Sequence, residues 1–172
     1  MMFYKKLNYI FKHKIHYKNI IYNMKNIKNF VFNLSLPLLL AILVTFATKN
    51  DYSNLELLNR NIIFPPIIFI VIWSILYILM GLFSYFCEKD NNNLNICIYW
   101  ISLLCNLLFS FILFSFKNNV LAFIDVIILL IMIIYLFINS LLIKKRYGYL
   151  LLPYILWLLC AFTLMLDIII NN

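Results

Sequence analysis

Four cysteines (Cys87, Cys97, Cys105, Cys160), two histidines (His13, His16) and two acids set inside long apolar runs (Asp125, Asp167) are the side chains best suited to chemistry. No two cysteines are spaced C-x-x-C, so neither a zinc site nor a disulfide framework is indicated, and the thiols read as small apolar fillers. His13 and His16 stand at i, i+3, yet no thiolate or carboxylate accompanies them, and a solvated interfacial pair accounts for them better than a metal site. Both precede the first apolar run, which leaves no histidine within the runs to ligate a haem iron. Asp125 and Asp167 are costly in hydrocarbon and are on that ground candidates for function. Each also has a structural reading: Asp125 lies six residues after Asn119, in the early turns of a helix whose dipole favours an anion, and Asp167 lies five residues from the C-terminus. Paired carboxylates, a Ser/His/Asp set, a Gly-rich phosphate loop and a nucleotide motif are all missing, so hydrolysis and phosphoryl transfer have no supporting residues.

A different chemistry, the stacking of flat rings, is offered by FPPIIFIVIWSILYILMGLFSYF, residues 64–86. Trp73, Tyr77, Gly81, Ser84 and Tyr85 recur there at spacings that share one face of a helix. In LNICIYWISLLCNLLFSFILFSF, Asn106 shares a face with Phe109, Ser110 and Phe114. Asn106 serves either as interhelical glue, worth about 0.6–2 kcal/mol in a membrane, or as a polar contact for a ligand. In YLLLPYILWLLCAFTLMLDIII, Trp157, Ala161 and Leu164 follow at i, i+4 and i+7, with Tyr154 just before and Pro153 near the first turn, where a missing N–H does least harm. Trp73 falls two turns past the double proline and Trp157 one turn past Pro153, which suggests similar depths toward one end of a bundle. Trp100 reads as an interfacial anchor. Beside Trp73 and Trp157 the small residues Gly81, Ser84 and Ala161 favour an inward stripe that lines an aromatic pocket.

Such a pocket needs helices to hold it, and composition supplies them. The chain of 172 residues is 66% hydrophobic and 12% charged, outside the range of soluble globular domains. About 20 apolar residues cross roughly 30 Å of hydrocarbon, and such windows fall at residues 30–48, 67–87, 94–116, 120–143 and 150–170. Lipid leaves no water for backbone groups, so these runs are helices, and barrel-type alternation is absent. The expected fold is all-α: a polytopic bundle of five transmembrane helices, neighbours antiparallel because the loops are short.

Lys5, Lys6, Lys12, Lys14, Lys18, Lys25, Lys28, Lys89, Lys144, Lys145 and Arg146 fall at one end of such a bundle, against Lys49, Arg60 and Lys117 at the other. The excess predicts a cytoplasmic N-terminus and an external C-terminus. The net charge of +8 then reflects topology and attraction to anionic headgroups, with no call for nucleic acid. Residues 1–29 hold no acid and suit a segment lying on a cytoplasmic leaflet, although Met24 offers a second start that would leave most of them untranslated. A signal peptide cleaved after Ala47 competes weakly, its apolar run being too long, and the Lys and Asn content argues against a mitochondrial presequence. Residues 30–172 form the transmembrane domain.

Taken together, Pro65-Pro66, Trp73, Leu76-Tyr77 and Met80-Gly81, then Asn106 with Phe109-Ser110 and Phe114, Leu121-Ala122 with Asp125, and Pro153-Tyr154, Trp157, Ala161 and Thr163, resemble the TspO/MBR family of tryptophan-rich sensory and translocator proteins. The resemblance runs from about Leu34 to the C-terminus. It implies a five-helix membrane protein, often a homodimer, with a cavity near the loop after the first helix that takes protoporphyrin IX, haem and related tetrapyrroles as ligands and needs no obligate cofactor. Mapped by motif, the pocket residues are Trp73, Tyr77, Asn106, Phe109, Trp157 and Ala161. It also implies that Trp73 and Trp157 are the catalytic pair if the protein degrades porphyrin in light, as some bacterial relatives do. Several family features are replaced here. Ile67 and Ile68 stand where a tryptophan is expected, Ile70 and Val71 replace a Gly-Pro pair, the loop after the first helix keeps only Tyr52 and Arg60, and Met165 holds an asparagine position. The sterol-contact motif beyond Ala161 is absent, which argues against cholesterol. The expected function is a tetrapyrrole-binding sensor or regulator in a bacterial cytoplasmic membrane, or in the outer mitochondrial membrane if the source is eukaryotic. A photo-oxidising enzyme, a transporter of amphiphiles and a structural subunit are the alternatives.

Overall fold

The structure, a computed structural model, describes residues 26–51 and 66–171. The histidines, most of the basic N-terminal segment, the Met24 start and the loop positions Tyr52, Arg60 and Pro65 lie outside the described residues. The chain divides after Phe32 into two units; of the first, the described residues are the helical stretch from Asn26. Among the described residues, five helices are long and apolar enough to cross a membrane: α1 (Asn26–Thr48), α2 (Pro66–Lys89), α3 (Asn93–Ser110), α4 (Asn119–Leu142) and α5 (Leu152–Asn171). Short 3-10 turns at Lys49–Asp51 and Arg146–Leu151 flank α1 and α5, and no strand occurs among the described residues.

Asparagines start and stop these helices. Asn92 and Asn118 cap α3 and α4, their side chains accepting from Asn95 N at 3.2 Å and Leu121 N at 2.9 Å. Asn91 (φ 54°) ends α2, where Asn92 N donates to Cys87 O and Asn91 N to Glu88 O. Lys144 (φ 57°) ends α4 in the same way, with Lys145 N donating to Ser140 O and Lys144 N to Leu141 O. Both are left-handed terminations of the kind usually given to glycine. α3 instead loosens into a π turn at Phe111–Ser115, where Phe116 N reaches back to Phe111 O, and Ser115 Oγ donates to Asp51 Oδ2 at 2.5 Å.

Apolar side chains on the outside, such as Ile70, Leu104, Ile131 and Leu156, find lipid as good as protein. Close packing and hydrogen bonds must therefore hold the helices together. α3 packs on α2 and α4, and α4 on α5. The larger core joins Leu76, Met80 and Phe83 of α2 to Tyr99 and Leu103 of α3, Leu129 and Ile133 of α4, and Tyr154 and Leu158 of α5. A second core gathers Leu113, Ala122, Val126, Leu164, Met165 and Ile168. Polar ties cluster where α2 ends and α3 begins, some buried and some near the surface. Asn33 Nδ2 donates to Glu88 Oε2 (2.7 Å), Ser84 Oγ to Asn33 Oδ1 (2.6 Å), Asn139 Nδ2 to Asn95 Oδ1 (2.6 Å) and Asn95 Nδ2 to Ser140 Oγ (3.3 Å), while Lys145 pairs with Asp90 at 2.9 Å.

Candidate functional site

One face of α2 carries an aromatic residue each turn: Phe69, Trp73, Tyr77. Trp73 and Tyr77 stack along the helix with centroids 5.5 Å apart and planes at 29°. α5 runs past them in the opposite direction, so later residues of one meet earlier residues of the other. Phe69 meets Trp157 (5.5 Å, 78°), Trp73 meets Trp157 (6.3 Å, 87°) and Tyr154 (6.1 Å, 67°), and farther along Phe83 meets Tyr147 (5.6 Å, 71°). These edge-to-face distances lie in the range where ring quadrupoles attract, about 0.5–1.5 kcal/mol per pair.

Trp73 and Trp157 thus come together, by a route that differs from the reading of two prolines at one bundle end. α2 and α5 begin from opposite ends, and the six-residue turn Arg146–Leu151 precedes Pro153. At about 2 Å per residue, that turn lifts Trp157 well into the bundle. The stripe also divides. Trp73 and Tyr77 face α5, whereas Gly81 and Ser84 face α1: a Cβ on Gly81 would stand 2.5 Å from Asn33 O, and Ser84 bonds Asn33. Those small residues make a helix–helix seam. They leave no room for a ligand.

Asn106 of α3 is buried and donates through Nδ2 to Tyr77 Oη at 3.3 Å, so four of the expected residues, Trp73, Tyr77, Asn106 and Trp157, form one group. Phe109 and Ala161 pack on the second core, and Phe69, which touches both cores, links them to the group. Phe69 and Tyr154 are site residues that the motif mapping left out; the signal for Phe69 was its place one turn before Trp73. Two buried polar atoms here have no hydrogen-bond partner among the described residues: Tyr154 Oη and Asp125 Oδ2. They lie within electrostatic reach of each other and of Cys105. The indoles and phenols meet where α2 and α5 cross. Two cavities lie elsewhere, one of about 360 Å³ beside Phe116–Val120 and Ile169, and one of about 480 Å³ beside Phe86 and residues 146–150. Among the described residues no three His, Cys, Asp or Glu side chains gather as metal ligands.

The fold and this site define an integral membrane protein whose helices enclose an aromatic group with a few unsatisfied polar atoms. The TspO/MBR family profile matches residues 33–170, starting where the second structural unit starts, and the chain belongs to that family. Comparison with curated proteins gives no significant match.

Proposed function

We propose that the protein is a membrane sensor or regulator that binds a tetrapyrrole, protoporphyrin IX or haem, between α2, α3, α4 and α5. The observation that carries this reading is the four-ring group of Trp73, Tyr77, Tyr154 and Trp157, set beside buried polar atoms that lack partners. A planar conjugated ligand gains from ring faces, and its polar groups would satisfy Tyr154 Oη and Asp125 Oδ2, whose burial without partners is costly. Metal-free protoporphyrin is the simpler fit, since neither histidine lies within a span. The N-terminus is assigned to the cytoplasm of a bacterial cell, and the working form to a homodimer.

The test is a titration of detergent-purified protein with protoporphyrin IX in the dark, read as tryptophan emission. Saturable quenching is expected in the wild type and should be largely lost in the Trp73→Phe/Trp157→Phe variant, where Trp100 remains as the reference emitter. Equal quenching in that variant would refute this site. The direct contact of Trp73 with both Trp157 and Tyr77 favours a second reading, in which these oxidisable rings take part in photodegradation of the porphyrin. Loss of porphyrin absorbance in light with turnover, abolished by the same substitutions, selects the enzyme over the binder.

A further inference from the structure

At the end of the bundle where α2 stops and α5 begins, a cavity of about 480 Å³ is lined by Phe86, Arg146, Tyr147, Tyr149 and Leu150. It is an open surface groove and not an enclosed pocket, a shape suited to a chain lying along the bundle. One wall is aromatic: Phe86 and Tyr147 stack with planes at 8° and centroids 5.9 Å apart. The wall is also anchored. Gly148 sits so close to α4 that an added Cβ would meet Ser140 Cβ at 2.9 Å, and Tyr147 is fixed from the other side by Phe83.

Arg146, exposed at the lip of this cavity, makes no ion pair or hydrogen bond among the described residues. Two acids at this end of the bundle are engaged elsewhere: Asp90 with Lys145, and Glu88 with Asn33. Lys89 and Lys144, also exposed and without an ion pair among the described residues, add positive charge to the same end. Arg146 begins the span Arg146–Asn171, with Tyr149 and Leu150 following within it, an order that suits a guanidinium among headgroups and apolar side chains below them. A guanidinium matches phosphate through paired N–H donors, and an apolar aromatic wall beneath it matches a glycerol backbone and the first acyl carbons.

We infer that this cavity is a binding site for an anionic glycerophospholipid, with its phosphate on Arg146 and its acyl root against Phe86, Tyr147 and Leu150. The occupant is a lipid and not free phosphate because the lining below Arg146 is apolar. The site is separate from the aromatic group and stands whether or not a tetrapyrrole binds there.

The experiment reconstitutes the full chain in mixed bilayers and measures, by electron spin resonance, the association of spin-labelled phosphatidylglycerol relative to spin-labelled phosphatidylcholine. The basic N-terminal segment contributes equally to every variant, so differences report on this cavity. One basic residue near an anionic surface changes association by about fivefold. Wild type should prefer phosphatidylglycerol more strongly than Arg146→Gln does, by clearly more than that nonspecific factor. Lys89→Gln, which removes a charge at the same end but not from the lining, should lose no more than that factor. Leu150→Trp, which fills the cavity and keeps Arg146, should lose the preference. The inference is overturned if Arg146→Gln matches wild type, if Lys89→Gln loses as much as Arg146→Gln, or if millimolar inorganic phosphate displaces the lipid label. An unchanged thermal transition in each variant confirms that the bundle is intact; a variant that has lost its fold is replaced by Arg146→Lys, which keeps the charge but not the paired donors and is expected to fall between wild type and Arg146→Gln, equality with wild type counting against the site.

Discussion

Replacing Gly81 by alanine tests the claim that α1 and α2 are held by backbone approach. The added methyl would stand 2.5 Å from Asn33 O, 3.0 Å from Leu34 Cα and 3.2 Å from Asn33 C, all of them backbone atoms that cannot swing aside. Restoring ordinary contact at about 3.5 Å requires α1 to back away by on the order of 1 Å. Overpacking of this kind costs about 1–3 kcal/mol. The displacement also stretches the bonds that Asn33 makes with Ser84 (2.6 Å) and Glu88 (2.7 Å). Bonds of that type are worth about 0.6–2 kcal/mol in membranes. Opposing both is the helix preference of alanine over glycine, about 1 kcal/mol. The balance is a loss of roughly 2–4 kcal/mol. It is measured in detergent as the temperature at which the fully buried Cys87 becomes reactive to a maleimide dye, in a background with Cys97, Cys105 and Cys160 changed to serine. Ser84→Ala, which removes only a hydrogen bond, should shift the transition less. An unchanged or raised transition in Gly81→Ala would mean that α1 is not seated on this glycine, and the packing described for the seam would be wrong.

Asn95→Leu removes the amide that bonds both Ser140 and Asn139 and should cost about 1–3 kcal/mol in the same assay, while Asn93→Leu, at an exposed neighbour, should cost little. Asp125→Asn removes a carboxylate whose Oδ2 is buried without a partner; thermal stability of the empty protein should stay level or rise, and porphyrin affinity should fall, as read by equilibrium titration. Orientation is checked with single cysteines in a cysteine-free background: a membrane-impermeant maleimide should label Asn119→Cys in intact cells and Asn93→Cys only in inverted vesicles, and the reverse pattern would overturn the assignment of the N-terminus to the cytoplasm.

Hydropathy alone placed all five spans within a few residues, because the need to satisfy every backbone group in lipid leaves helices as the only option for runs such as residues 120–143. Periodicity placed Trp73 and Tyr77 on one face, and Trp157 on the face of α5 that meets them, since the 3.6-residue repeat is a local property. Periodicity could not say what each part of a face touches. Gly81 and Ser84 share the stripe with Trp73, yet they meet a different helix, because neighbours are set by how five cylinders assemble and not by any one of them.

Depth escaped the sequence for a related reason. Residues 144–149 looked like a loop, and only packing of Gly148 on Ser140 and of Tyr147 on Phe83 and Phe86 turns much of that stretch into an ordered turn that raises Trp157 toward Trp73. The sequence by itself determined the number of spans, their helical nature and the faces that carry rings, all consequences of local backbone chemistry in hydrocarbon. The tertiary structure decided that the two indoles meet edge to face, that Tyr154 Oη and Asp125 Oδ2 are buried without hydrogen-bond partners among the described residues, and that Arg146, unpaired among those residues, stands beside an aromatic wall. Those facts depend on distances between helices, and such distances are fixed by side-chain volumes on several segments at once.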